Sequence, residues 1–208
     1  MDAGRLTERS GARGRVTTEQ IVSAAARLFA SDGYHEIGMR EIADALGIRG
    51  ASLYHHYASK EEILFAICLT VSEEPVERTL PVLDEAGTPT ERLTRLVRGH
   101  LLHLVERQVE HLVGRHELAA LTPEHRAVVD GHRRYYQRRV ADTVAAGVRA
   151  GELHVADVRL VTLALLDMLN GTSSWYRPDG PLAAEDLAGT YVRLAVEGLL
   201  GGRLPDGA

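Results

Sequence analysis

Cysteine and aromatic residues are scarce in this 208-residue chain, and long apolar runs are missing. Cys68 is the single cysteine, so no disulfide can form within one chain. With aromatics at 5% and few β-branched runs, no segment is predicted as a strand. No apolar run reaches the ~18 residues of a transmembrane helix, and the N-terminus lacks the apolar core of a secretory signal. We therefore expect an all-α, cytoplasmic protein.

A net positive charge, the usual mark of nucleic-acid binding, is also missing, since the formal net charge is −5. The charges are unevenly distributed along the chain. Residues 1–60 hold eight Lys/Arg and seven Asp/Glu, whereas residues 61–208 hold 16 Lys/Arg and 22 Asp/Glu. Residues 1–15 contain four arginines and three glycines. This composition predicts a disordered basic arm, which either faces DNA or is a plain flexible terminus. The relatively basic N-terminal third is weak evidence for a DNA-facing end.

Capping and periodicity signals predict nine helices. Thr17, three residues before Gln20, fits a capping box that starts the first helix, and Asp32-Gly33 ends it. The fourth helix starts after Ser59 and is interrupted near Pro75 and Pro81. We expect the others at residues 39–46, 51–57, 90–108, 110–121, 123–150, 156–172 and 184–200.

A helix-turn-helix is predicted between residues 39 and 57. Gly47 supplies the tight turn between two short helices, and Leu53 with Ala43 and Leu46 forms their apolar contact. Hydroxyl and imidazole groups on the third helix can bond phosphate oxygens or base edges. The alternative is a small helical corner that packs against another domain. The outward side chains of the third helix are not acidic: Ser52, Tyr54, His55 and His56.

Residues 17–64 carry a signature with many fixed spacings, and it resembles the N-terminal domain of the TetR family of bacterial repressors. The rest of the chain matches that family in length and helical content, without strong motifs. The resemblance implies a three-helix DNA-binding domain at residues 16–62 and a ligand-binding and dimerisation domain at residues 63–208. The matching positions are Ile21, Ala24, Ala25, Leu28, Phe29, Gly33, Tyr34, Arg40, Glu41, Ile42, Ala43, Leu46, Gly47, the stretch Ser52–Tyr57 and the stretch Ser59–Leu64.

The resemblance also implies DNA-binding roles for individual residues. Arg49 departs from the family, because a serine usually caps the third helix there; it could reach a phosphate or a guanine. Arg40 belongs to the matching signature and is also expected to bind DNA. The phosphate-contacting positions are Thr17, Tyr54, His56 and Lys60. The positions that approach base edges are Gly50, Ala51, Ser52 and His55.

The last helices are predicted to form a dimer seam. The helix at residues 156–172 is apolar nearly all round, which indicates burial on more than one side. The final helix has an apolar stripe with small residues that allow close approach. The alternative is that both helices belong to the core of one chain. The expected dimer contacts are Leu163, Met168, Trp175, Tyr191, Leu194 and Gly198.

The segment at residues 170–180 looks like that of a subgroup which includes CoA-thioester-responsive repressors, and this suggests an acyl-CoA effector. Trp175 offers a flat partner for adenine, or alternatively a structural plug at the dimer edge. No cofactor is expected, and the histidines from His100 to His132 lack the spacing of a metal site. The expected ligand-binding residues are Trp175, Arg177, Arg138, Tyr135, His103 and Leu166.

These observations predict a ligand-responsive repressor that binds a palindromic operator as a dimer. A small helical enzyme or a ligand carrier acting on acyl-CoA-like molecules is the main alternative. The chain lacks a phosphate loop, a nucleophile elbow and a zinc signature, and Cys68 falls on a core face, so no enzyme is expected. A non-specific architectural DNA binder is the third possibility, and the acidic residues 61–208 argue against it.

Overall fold

In the computed structural model, which describes residues 16–204, all regular secondary structure is helical, and the predicted all-α architecture is confirmed. The predicted fourth helix breaks at Glu73 into two helices, α4 (Lys60–Ser72) and α5 (Glu74–Arg78). The expected basic arm, residues 1–15, lies outside the described residues. The α-helices are α1 (Thr18–Asp32), α2 (Met39–Ala45), α3 (Gly50–Tyr54), α4 (Lys60–Ser72), α5 (Glu74–Arg78), α6 (Pro89–Glu106), α7 (Gln108–His116), α8 (Pro123–Arg149), α9 (Val158–Gly171) and α10 (Ala184–Arg193).

Several short segments complete these helices. 3₁₀ turns occupy Leu80–Asp84, Leu118–Ala120 and Thr172–Ser174, and α10 continues as a π-helical turn at Leu194–Leu199. Within the described part of the chain, no helix is both long and apolar enough to cross a bilayer.

The predicted capping box at the start of α1 is confirmed. Thr17 Oγ1 accepts a hydrogen bond from the Gln20 amide at 3.2 Å, and Gln20 Oε1 accepts one from the Thr17 amide at 2.9 Å. Ser59 caps α4 by accepting a bond from the amide of Glu62. The Glu62 carboxylate in turn accepts a bond from the amide of Ala58, one residue before the cap. These local bonds satisfy N–H groups that a helix leaves free at its start.

The turn between α2 and α3 has the predicted glycine in a left-handed conformation, with φ +64° at Gly47. The prediction that the third helix extends to Tyr57 was wrong, because α3 ends at Tyr54. The amides of His56 and Tyr57 both bond to the carbonyl of Leu53, which tightens the chain at this end. Ser59 then adopts an extended backbone to cap α4. The third helix is therefore only five residues long.

One apolar core joins helices α1 to α4, which include the predicted DNA-binding helices, to the rest of the chain. Buried side chains of α1 to α4 pack with Val113 of α7 and Val129 of α8. A Cβ atom on Gly114 would lie 2.9 Å from Cγ2 of Val71, so only glycine allows α7 to approach α4 this closely. A second core joins α6, α8, α9 and α10. The expected boundary at residues 62–63 thus falls inside the continuous helix α4.

Candidate nucleic-acid interface and cavity

Helix α3 presents one buried and one exposed side, as predicted. Leu53 is fully buried in the core, whereas Ser52, Tyr54 and His55 are exposed, with Tyr54 at 56%. Gly50 and Ala51 are also exposed at the start of the helix. The residues of this helix that are predicted to contact DNA are therefore accessible from solvent.

The remaining predicted DNA contacts lie on α1 and α2 and on either side of α3. Thr17 is exposed at the start of α1. Arg49 is exposed at the N-cap of α3, where its guanidinium, which has donors only, cannot cap the helix. Arg40 is exposed on α2, where Nε lies 3.8 Å from a carboxylate oxygen of Asp44. His56 is half-buried after α3.

Lys60 has a structural contact in addition to its predicted role. Its Nζ donates to the carbonyl of Tyr34 at 2.7 Å and lies 4.3 Å from the centre of the Tyr34 ring. The ammonium thus ties the start of α4 to the loop between α1 and α2. Because an ammonium has three donors, these contacts leave N–H capacity for a phosphate.

A cavity of about 360 Å³ lies between α4, α6, α7, α8 and α9. Two of the predicted ligand residues, His103 and Leu166, line it. The wall combines aliphatic, imidazole, amide and charged groups: Val71, Ser72, Pro75, His100, His103, His111, Arg115, Arg133, Tyr136, Gln137, Leu163, Leu166, Asp167, Asn170 and Ser173.

Three histidines and a tyrosine form hydrogen bonds along this wall. His100 Nδ1 lies 3.0 Å from the hydroxyl of Tyr136. His111 Nε2 lies 3.3 Å from His103 Nδ1, and His103 Nε2 lies 3.2 Å from Oε2 of Glu74. Because the carboxylate only accepts, His103 donates from Nε2 and, when neutral, accepts from His111 at Nδ1.

Burial keeps these groups uncharged. Desolvation, reinforced by His103, lowers the pKa of His100 to about 4, against a smaller opposing effect of Asn170. Burial also lowers the pKa of His111 well below its usual value and lowers that of His103, where Glu74 opposes the effect. Desolvation raises the pKa of Tyr136. At neutral pH the cavity therefore presents neutral imidazoles and a phenol.

Four predicted ligand residues lie outside the cavity lining. Tyr135 and Arg138 are on the exposed side of α8, and Trp175 and Arg177 are exposed after α9. The neighbouring Tyr136 faces the cavity instead. The register of α8 could have indicated it, because Tyr136 shares a helical face with the apolar Val129, Val140 and Val144, which are buried.

His100, His111 and Arg133 also line the cavity, although they were not among the expected ligand-binding residues. The sequence signal for His100 was present, since it lies three residues before His103 on the same helical face. Among residues 16–204, no three His, Cys, Asp or Glu side chains are grouped as metal ligands would be.

Cys68 is a buried core residue, and this burial raises the pKa of its thiol to about 11.

The predicted dimer residues divide between surface and interior. Leu194, Trp175 and Gly198 are exposed, the first two at 51% each, and Leu160 of α9 is exposed at 59%. Met168 and Tyr191 are half-buried, and Leu163 lines the cavity. Exposed apolar side chains on α9 and at the end of α10 leave apolar surface that a partner could cover.

Polar contacts connect the cavity wall to helix α1. Glu74, which accepts from His103, also lies 3.5 Å from Nη2 of Arg107, and the same nitrogen lies 3.2 Å from Oε1 of Glu19. Arg107 sits at the junction of α6 and α7, and Glu19 is in the first turn of α1. The contacts therefore run from the cavity histidine His103 to the first turn of α1.

A second polar contact joins α4 to α8. The carboxylate of Glu61 accepts from the amide of Thr122 and lies 2.9 Å from Nδ1 of His125. The ring of His125 is stacked on Phe65 with centroids 3.9 Å apart. The start of the long helix α8 is thus fixed to the first turns of α4.

Comparison with known proteins settles the family. Residues 21–67 match the model for bacterial regulatory proteins of the tetR family, and residues 86–199 match that for tetracyclin repressor-like C-terminal domains. This chain belongs to the TetR family of transcriptional regulators. The predicted resemblance is confirmed, and so is the prediction that the protein is a DNA-binding regulator and not an enzyme.

Individual members of the TetR family are similar over nearly the whole chain. The HTH-type transcriptional repressor KstR2 of Mycobacterium tuberculosis is 28% identical over 199 residues, 95% of this chain and 96% of its own. The structure of PfmR from Thermus thermophilus has a TM-score of 0.80 and 33% identity, covering 89% of this chain and 100% of that one. AibR, solved with isovaleryl coenzyme A and operator DNA, has a TM-score of 0.75 and 32% identity, covering 85% and 96%.

Proposed function

We propose that this TetR-family protein is a dimeric, cytoplasmic repressor that binds a palindromic operator and is released by an acyl-CoA thioester. Residues 16–62 would bind DNA, and residues 63–208 would bind the effector and dimerise. The observation that carries the proposal is the cavity, which lies against α4 and α7, the helices packed against the DNA-binding core. The names of similar proteins support it, because KstR2 is a repressor and AibR binds both isovaleryl coenzyme A and operator DNA.

The DNA-binding residues are assigned by exposure and chemistry. Tyr54, Thr17 and Lys60 offer hydroxyl or ammonium groups to phosphates, which set affinity and position. Ser52 on α3 and His55 at its C-cap are exposed and offer hydrogen bonds to base edges, which set specificity. A symmetric dimer would present two copies of α3 to two half-sites of a palindrome.

The cavity is small for a whole acyl-CoA. At about 360 Å³ it lies at the lower end of the range for ligand sites, so we assign it to the acyl group and the adjoining thioester. The nucleotide would then lie outside. Arg115 lines the cavity and is also exposed, so it can reach phosphates from the wall. The exposed Trp175 and Arg177 remain candidates for adenine and phosphate contacts.

Effector binding would reach the DNA through the contacts between cavity and α1. A ligand that displaces His103 or His111 changes the hydrogen bonding of Glu74, and Glu74 shares Arg107 with Glu19. Repression is relieved only if the ligand binds better to the form that fits the operator poorly. The quantity to measure is therefore the effector's affinity for the free protein compared with its affinity for the operator-bound protein.

The proposal is tested with the purified protein and the DNA upstream of its own gene. We expect footprinting to show a protected palindrome, bound more tightly than random DNA of the same length. Isovaleryl-CoA and longer acyl-CoAs should weaken this binding, whereas the matching free acids should not. Equal affinity for upstream and random DNA would contradict operator recognition. The absence of a thermal shift with any acyl-CoA would contradict the assigned effector class alone.

A further inference from the structure

One buried polar atom in the cavity has no partner. His100 is 7% exposed and lines the cavity, and its Nε2 makes no hydrogen bond of normal geometry within residues 16–204, although the side chain of Asn170 lies close enough to favour the protonated ring. Its other nitrogen, Nδ1, is held at 3.0 Å from the hydroxyl of Tyr136. A buried polar group without a hydrogen-bond partner is destabilising. The position of this atom therefore points to a ligand group.

The two neutral tautomers of His100 leave different numbers of hydrogen-bonding groups unsatisfied, and this indicates which nitrogen carries the proton. If Tyr136 donates to Nδ1, its hydroxyl hydrogen and the Nδ1 lone pair are both satisfied, and only the Nε2–H is free. In the other tautomer Tyr136 accepts from Nδ1, so its own hydrogen and the Nε2 lone pair both lack partners. The first arrangement leaves one unsatisfied group and the second leaves two. His100 thus presents a single neutral donor to the cavity.

We propose that His100 Nε2 donates a hydrogen bond to a carbonyl oxygen of the bound effector and so selects carbonyl-bearing ligands over apolar ligands of the same shape. This deepens the proposed effector function and rests on it. A carbonyl oxygen has no hydrogen of its own, so it needs only what a single donor supplies. Val71, Pro75 and Leu166 provide apolar wall for the remainder of such a group.

Two parts of an acyl-CoA carry this chemistry: the thioester carbonyl, and a keto group on the acyl chain. Either oxygen satisfies the same donor. The wall contains further hydrogen-bonding side chains, among them Asn170 and Gln137. A long saturated chain would leave these groups unsatisfied as well, which disfavours it.

The first experiment uses matched fragments, so that it does not depend on CoA or DNA. Cyclohexanone and methylenecyclohexane differ by an oxygen in place of a methylene, and their binding is followed by ligand-observed NMR. The unaltered protein should prefer the ketone by about three- to tenfold, as one buried neutral hydrogen bond would give. His100→Phe should abolish the preference, and His100→Gln, which keeps an N–H donor, should restore part of it. His35→Phe, which alters an exposed histidine of the DNA-binding domain, should leave it unchanged.

The fragment comparison and the tautomer of His100 can each support or overturn the proposal. No ketone preference in the unaltered protein, or an undiminished preference in His100→Phe, would overturn the proposal. The tautomer is read independently from long-range ¹H–¹⁵N spectra of the unaltered protein. Protonated Nε2 with bare Nδ1 supports the assignment, and the reverse overturns it.

A second experiment identifies the carbonyl. Butyryl-CoA, acetoacetyl-CoA and the thioether S-butyl-CoA share a four-carbon chain. If the thioester oxygen is the partner, His100→Phe weakens the first two and not the thioether; if the keto oxygen is the partner, it weakens acetoacetyl-CoA alone. Equal weakening of all three, or of none, would overturn carbonyl recognition in CoA ligands. If no CoA compound binds the unaltered protein, the acyl-CoA effector fails, while the fragment comparison still judges His100.

Discussion

Arg107, at the junction of α6 and α7, donates from Nη2 to Oε1 of Glu19 across a distance of 3.2 Å. The arginine is 16% exposed, whereas the glutamate, in the first turn of α1, is 73% exposed. The same nitrogen faces Glu74, which accepts from the cavity histidine His103. Arg107 thus contacts both helix α1 and Glu74, the hydrogen-bond partner of a cavity histidine.

Replacing Arg107 should weaken the coupling between effector and operator. Arg107→Met keeps the apolar stem and removes the contacts to Glu19 and Glu74. We expect the ratio of operator affinities without and with an acyl-CoA to fall by about two- to tenfold, because residues between two sites modulate coupling by such amounts. Fluorescence anisotropy with labelled operator measures the ratio. Arg98→Met, which removes the exposed pair with Glu185, is the matched control, and an equal fall there would contradict the prediction.

Substitutions on α3 should separate affinity from specificity. Tyr54→Phe removes a hydroxyl assigned to phosphate, so it should weaken binding to operator and to random DNA alike. His55→Ala removes a group assigned to a base edge, so it should cost about 1–3 kcal/mol on the operator and little on random DNA. Parallel titrations of both DNAs measure each ratio. A loss of specificity in Tyr54→Phe, with none in His55→Ala, would reverse the assignment.

Acid should destabilise the protein through its buried histidines. The pKa of His100 is lowered to about 4 in the folded state, and the pKa values of His111 and His103 are also lowered. Below pH 6.5 the unfolded chain binds protons that these imidazoles do not accept, so stability is full above about pH 6.5 and falls toward pH 4. Between pH 7.5 and pH 5 the loss due to His100 should be roughly 2 kcal/mol.

Urea denaturation at the two pH values measures this loss. In His100→Gln the decrease should be smaller by about the share of one histidine, because that group no longer titrates. The carboxylates are the same in both proteins, so their contribution cancels in the comparison. An identical decrease in the two proteins would show that the pKa of His100 is not lowered.

Charging the exposed apolar face of α9 and the end of α10 should dissociate the proposed dimer. Leu160→Arg combined with Leu194→Arg places like charges on surface that the proposed interface would bury. Light scattering should show a monomer, and operator affinity should fall because two half-sites are no longer bound together. Val128→Arg, at a residue 44% exposed on α8, should remain dimeric. A double variant that stays dimeric would place the interface elsewhere.

The sequence by itself determined the local features of this protein. The capping box of Thr17 and Gln20, the turn at Gly47 and the buried Leu53 depend on residues a few positions apart, so their patterns predict them. The family signature in residues 17–64 likewise indicated a DNA-binding regulator, as the comparisons confirm. The side chains of α3 that face outward followed from the same short-range rules.

Only the tertiary structure decided which distant side chains meet. Periodicity could place Tyr136 on the apolar face of α8, but only the packing of α8 against α6 brings its hydroxyl to His100, 36 positions earlier in the chain. The approach of Arg107 to Glu19, 88 positions earlier in the chain, depends on how α7 packs against α1. Packing is a property of complementary surfaces far apart in sequence. The cavity and its contact with the DNA-binding half could therefore not be predicted from spacing alone.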